Sequence, residues 1–165
     1  MSRRAWIWGR SGGHRVRGGP ATNGVMNMLA IDAMRARVEG AQTLPDILAV
    51  GWDAFELIRN AADLCADGDD GLFAAFMLAA AAAANGRDAV GVAPSLAPGR
   101  ASGTTPGDQP SAPVDDAAAA IAVLASALGA RLSSAASAAD AADRAACQRA
   151  ADEAAQIRAL LAGPG

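Results

Sequence analysis

The amino-acid sequence predicts an all-α protein. Alanine, the residue with the highest helix propensity, occupies 46 of the 165 positions. Apolar residues recur at spacings of three and four in several segments, which is the period of an amphipathic helix. Glycine and proline concentrate between those segments, where they end helices. We therefore expect an N-terminal three-helix module and a C-terminal Ala-rich antiparallel helical hairpin, or one long helix, joined by a Pro/Gly/Ser linker.

Composition sets the boundaries between these parts. Residues 1–24 are rich in arginine and glycine, show no apolar periodicity and are predicted to be a disordered head. Residues 25–90 form the small helical module, 91–113 the linker with five prolines, and 114–162 the hairpin. The head also has the composition of a GC-rich region upstream of a start codon, with Val25, Met26 and Met28 as alternative starts. All 14 basic residues are arginine, which indicates a GC-rich, bacterial genome.

Two amphipathic helices are expected at the start of the helical module. The first covers about 27–39, with Ile31, Met34 and Val38 on one face and Gly40 at its C-terminal end. The second begins at Thr43, a capping residue, and runs to about 66. Its apolar stripe comprises Ile47, Val50, Ala54, Ile58, Ala61 and Cys65, and its opposite, polar face comprises Asp46, Asp53, Glu56, Asn60, Asp63 and Asp67.

A third helix is predicted over 72–85, capped by Asp70 and closed by Gly86. Residues 72–84 form an unbroken apolar run of thirteen, well short of the roughly 20 residues that a membrane helix needs. Because this helix is apolar on every side, we expect it to be the central, buried helix, antiparallel to the second.

The C-terminal segment is expected to start at Asp115 or Asp116 as the cap. Gly129, Ser133 and Ser134 weaken the helix, so we expect the hairpin to turn near 131–136. A single helix of about 48 residues, roughly 72 Å long, is the alternative. The possible interaction face combines the stripes of both helical segments: Ile121, Leu124, Leu128, Leu132, Ala142, Ala146, Ala150, Ile157 and Leu161.

The motifs that carry chemistry do not form a site in this sequence. His14 is the single histidine, and the acidic stretch 67–71 lacks the glycine and glutamate of a calcium-binding loop. The sequence contains no phosphate-binding glycine motif. Cys65 and Cys147 are interpreted as buried thiols. We therefore expect no catalytic, cofactor-binding or metal-binding residues and no small-molecule ligand.

These observations favour a cytoplasmic, non-enzymatic helical protein, coiled-coil-like in its pairing. It would bind a protein partner or a second copy of itself through the C-terminal helices, with neither nucleic acid nor a membrane as the expected partner. The alternative is a small nucleic-acid-associated regulator that uses the helical module and the arginine-rich head. The net charge of −3 and the acidic helices disfavour that alternative.

Overall fold

The computed structural model describes residues 28–66, 71–97 and 113–162, and all regular secondary structure within them is helical. The helices are α1 (Met28–Gly40), α2 (Leu44–Ala66), α3 (Phe73–Gly91), α4 (Val114–Ala138) and α5 (Ala141–Leu161). The predicted all-α class is confirmed. The predicted head (1–24), the cap at Asp70 and most of the predicted linker lie outside the described residues.

The five helices pack around one hydrophobic core. Helix α3 packs between α2 and α5, while α4 contacts α1, α2 and α5. Buried side chains from every helix belong to the same core cluster. The helices that precede the proline-rich stretch therefore share their core with those that follow it.

The first two helices lie close to their expected positions. Ile31, Met34 and Val38 are buried on α1. The hydroxyl of Thr43 accepts a hydrogen bond from the Asp46 backbone N–H and donates one to its carboxylate, at 3.3 and 2.6 Å. This reciprocal pair satisfies a backbone donor at the start of α2, so the start predicted for that helix is confirmed.

Asp53 departs from the predicted polar face of α2. Its side chain is buried rather than solvated, because α1 lies over it. Arg37 of α1 donates a hydrogen bond to its carboxylate at 2.8 Å. The pair links α1 to α2 and provides the partner that a buried carboxylate requires.

Helix α3 runs six residues further than predicted, to Gly91, and Gly86 lies inside it. A Cβ atom at Gly86 would overlap the ring of Phe55 on α2. The glycine therefore permits close approach of two helices and does not close a helix. The residue at the N-cap of α3 is Leu72, which makes no side-chain capping hydrogen bond.

The C-terminal helices form a hairpin and not one long helix, because α4 ends at Ala138 and α5 begins at Ala141. The turn lies after the predicted 131–136, since capping decides its position. The Asp140 carboxylate accepts hydrogen bonds from two backbone N–H groups of α5, both at 3.0 Å. The Arg144 guanidinium donates to the carbonyl oxygens of Ala136 and Ala139. These contacts satisfy backbone groups at both helix ends.

The N-terminal end of α4 also differs from expectation. Asp115 and Asp116 lie in its first turn, and Pro113 occupies the N-cap position. Carboxylates in a first turn still interact favourably with the helix dipole. The acids therefore stabilise the end of the helix without capping it.

Candidate interaction surface

The face predicted to meet a partner is largely covered by the chain's own helices. Leu128 and Leu132 lie against Gly51 of α2, where an added Cβ would be 3.7 and 3.8 Å from their methyl groups. The stripes lie in the common core, where α4 packs on α1, α2 and α5, and α5 packs on α3 and α4. Buried are Ile121, Leu124, Leu128, Leu132, Ala146, Ala150, Ile157 and Leu161, whereas Ala142 is exposed.

Helix α3 carries an exposed apolar face instead. Phe73, Met77 and Leu78 are 49%, 46% and 52% exposed, respectively. Ala74 and Ala81 are exposed on the same side of the helix. These five residues recur at helical spacing over nine positions, and we call them the α3 face. The stretch 72–86 contains no charged residue, so the α3 face is uncharged throughout.

The buried side of the same helix explains how the α3 face is positioned. Phe76, Ala79, Ala80 and Ala83 point into the core, where α3 packs between α2 and α5. The alanines allow close packing on that side. The larger Phe73, Met77 and Leu78 are left on the solvent side, which is the reverse of ordinary amphipathic patterning.

This arrangement contradicts the prediction that α3 is buried on every side. A helix that is apolar on all sides is either completely buried or half-buried, with its outer face open to another molecule. The sequence signal that could have separated them is the position of the alanines. Alanine predominates on the buried side, around Phe76, whereas three of the five residues of the exposed α3 face are large.

A charged network borders the C-terminal end of the α3 face. The Glu56 carboxylate accepts hydrogen bonds from Arg59 at 2.6 Å and from Arg87 at 3.0 Å. The hydrogen bond from Arg59, with help from Arg87, lowers the pKa of Glu56, while partial burial opposes the shift. Arg87 also lies 5.3 Å from the centre of the Trp52 ring, in a cation–π position. The two arginines are thus engaged within the chain.

A second polar pair lies at the start of α5. Asp143 is fully buried and accepts hydrogen bonds from the backbone N–H and the hydroxyl of Ser95, at 3.1 and 2.6 Å. It sits in the first turn of α5, where the helix dipole favours a carboxylate. Ser95 follows α3 in the chain, so the pair ties the end of α3 to α5.

Both cysteines are buried within helices, as predicted. Burial raises the pKa of the Cys65 thiol. Burial raises the pKa of the Cys147 thiol as well, and the nearby Asp143 carboxylate adds to that shift. A thiol reacts as its thiolate, so both shifts act against nucleophilic chemistry at neutral pH.

Two shallow grooves run along helix seams. One, of about 520 Å³, lies between α4 and α5, where Arg144 is already bonded to backbone carbonyls. The other, of about 380 Å³, lies between α1 and α4 and is lined by Ile31, Asp32, Asp116 and Val123 among others. Within the described residues, no group of three His, Cys, Asp or Glu side chains is placed to hold a metal ion.

In the part of the chain that the structure describes, the fold and its exposed surface define a class, an all-α five-helix bundle with an apolar helix face open to solvent. Comparison with known proteins adds no family to that description: no protein-family model, curated protein or solved structure matches the chain. Among the described helices, α4 alone has the length and apolar composition to cross a membrane, and 44% of its most apolar window is buried within the bundle.

Proposed function

We propose that this chain is a cytoplasmic, non-enzymatic protein-interaction module whose α3 face is covered by a helix of another polypeptide. The observation that carries the proposal is the uncharged α3 face, with three large side chains about half exposed. Contiguous apolar patches on soluble proteins frequently mark interaction sites. The proposal keeps the class of function expected from the sequence but moves the surface from the C-terminal helices to α3.

The shape of the α3 face favours a helical partner. Its exposed residues recur along one side of a helix, as in interfaces where an amphipathic helix lies against another apolar helix. Alanine at positions 74 and 81 leaves room for side chains from the opposing helix. The charged groups Glu56, Arg59 and Arg87 are paired within the chain, so the apolar side chains are the groups that gain most from being covered.

Site-specific photo-cross-linking in the native host tests this proposal. A photoreactive amino acid replaces Leu78 on the α3 face in one variant and Val123 on α4, which is 48% exposed, in the matched control. We expect protein adducts from position 78 in clear excess over those from position 123. Equal yields from the two positions, or no adduct from position 78, would refute the proposal.

A further inference from the structure

We infer that the shallow groove between α1 and α4 binds the N-terminal segment of the same chain, residues 1–27, through its tryptophans and one of its arginines. This groove is separate from the α3 face, so the inference goes beyond the proposed function. Three observations carry it: the chemistry of the groove, the composition of the segment, and the point at which the segment joins the helices.

The α1–α4 groove offers apolar surface to a large side chain. Two of the residues that α4 contributes are alanines, which leave a space of about 380 Å³ beside α1. Val123 is 48% exposed at this groove. Covering such a surface with a large apolar side chain is favourable, and an aromatic ring supplies the largest area. The apolar lining consists of Met28, Ile31, Ala119, Ala120 and Val123.

The charged residues of the same groove favour a cationic occupant. Asp32 lies 3.7 Å from Arg35, and both line the groove. Asp116 also lines it, is exposed, and makes no ion pair with any residue that the structure describes. Two carboxylates against one guanidinium leave a net negative charge, which attracts a basic segment and disfavours an acidic one.

The N-terminal segment has the complementary chemistry. It contains five arginines and no acidic residue, and Trp6 and Trp8 are set between two of these arginines. An indole ring from this cluster supplies the apolar surface, and a neighbouring guanidinium pairs with Asp116. The sequence of the segment shows no helical periodicity, so a fold of its own does not compete with binding to the groove.

The segment also joins the helices at the groove itself. Met28, which follows it directly, is one of the residues that line the groove. Trp8 precedes Met28 by twenty residues. A glycine-rich tether of that length has an average end-to-end distance of roughly 25 Å, whereas the groove extends about 10 Å along α1. Such a tether gives an effective concentration of about millimolar, so even a weak contact is largely formed.

Photo-cross-linking of the purified full chain tests the contact. A photoreactive amino acid replaces Val123 in one variant and Val92, which is 64% exposed after α3, in the matched control. We expect adducts within one chain, mapped by mass spectrometry to residues 1–27, from position 123 in clear excess over those from position 92. Equal yields from the two positions, no adduct from position 123, or adducts that join two chains would each overturn the inference.

Tryptophan fluorescence of the full chain tests the apolar part of the contact. The chain has three tryptophans, so Trp52→Phe leaves Trp6 and Trp8 as the emitting residues. We expect acrylamide to quench their emission less in the folded chain than in urea, with helical circular dichroism confirming the folded state. Equal quenching in the two states would show that the indole rings are not covered, and the inference would be wrong.

Two substitutions in the Trp52→Phe background test the charged part. Asp116→Asn should increase the quenching of Trp6 and Trp8, because it removes the carboxylate that pairs with the segment. Asp115→Asn should leave the quenching unchanged, since Asp115 lies in the same first turn of α4 but does not line the groove. Salt at about 1 M should reproduce the effect of Asp116→Asn, because it shortens the Debye length to about 3 Å. Equal effects of the two substitutions would contradict the role of Asp116.

Discussion

Replacing Gly86 by alanine should destabilise the protein, although alanine is the better helix former. Gly86 lies inside α3, and a Cβ there would overlap the ring of Phe55. That ring is completely buried, so it cannot relieve the overlap by turning into solvent. Gly51, inside α2, provides a matched comparison, because its added Cβ would meet neighbours at 3.7–3.8 Å, an ordinary contact distance.

The two substitutions should therefore have opposite signs. Replacing a helix-interior glycine by alanine stabilises a helix by about 0.5–1 kcal/mol, and Gly51→Ala should gain that amount. Overpacking a core costs about 1–3 kcal/mol, which outweighs the same gain in Gly86→Ala and leaves a net loss of about 1–2 kcal/mol. The melting temperatures should then differ by roughly 4 °C for each kcal/mol that separates the two variants.

Urea and thermal denaturation, followed by circular dichroism at the helix band, measure both variants against wild type. A double-mutant cycle with Phe55→Leu isolates the cause, because removing the ring should relieve a large part of the penalty at position 86. The reasoning is refuted if Gly86→Ala is as stable as Gly51→Ala, or if the cycle shows no coupling with Phe55. In either case Gly86 is not required for the close approach of α2 and α3.

Three further predictions concern local contacts. Asp140→Ala removes the cap of α5 and should lower the free energy of unfolding by about 1 kcal/mol, measured in urea, whereas the exposed Asp152→Ala should change little. Because the pKa of Glu56 is lowered on folding, its ion pairs stabilise the protein above its ordinary pKa of 4.5. Their stabilisation is lost as the pH falls through the lowered value, so Glu56→Gln should be less stable than wild type at pH 7 but not in acid. Because burial raises the pKa of Cys65 and Cys147, a thiol reagent should label both slowly in the folded protein and rapidly in urea, and rapid labelling without denaturant would contradict their burial.

Local sequence signals located most of the helices. The spacing of Ile31, Met34 and Val38 and the capping residue Thr43 are properties of short segments, so the buried face of α1 and the start of α2 could be read directly. The α4–α5 turn lies later than predicted because α4 tolerates the weak helix formers Gly129, Ser133 and Ser134 in its interior. Asp140 accepts hydrogen bonds from the first turn of α5, and this contact fixes where the new helix begins.

Tertiary packing decided what local signals could not. The apolar stripe of α4 fits an intramolecular core and an intermolecular interface equally well. Here α1, α2 and α5 bury it, and Leu128 lies beside Gly51 of α2. The burial of Asp53 depends on Arg37, sixteen residues away in another helix. The exposure of Phe73 likewise depends on which helices pack around α3. None of these three facts follows from the spacing of apolar residues within a single helix.

The shared core also has a consequence for how the chain folds. The α2–α3 and α4–α5 pairs join neighbours in sequence, whereas the packing of α3 on α5 joins segments on either side of the proline-rich stretch. Sequence-distant contacts require a larger loop to close, which slows their formation. We therefore expect two helical hairpins to form early and to dock in a later step, in which the hydrogen bonds between Ser95 and Asp143 are completed. Asp143→Ala would then speed unfolding more than it slows folding.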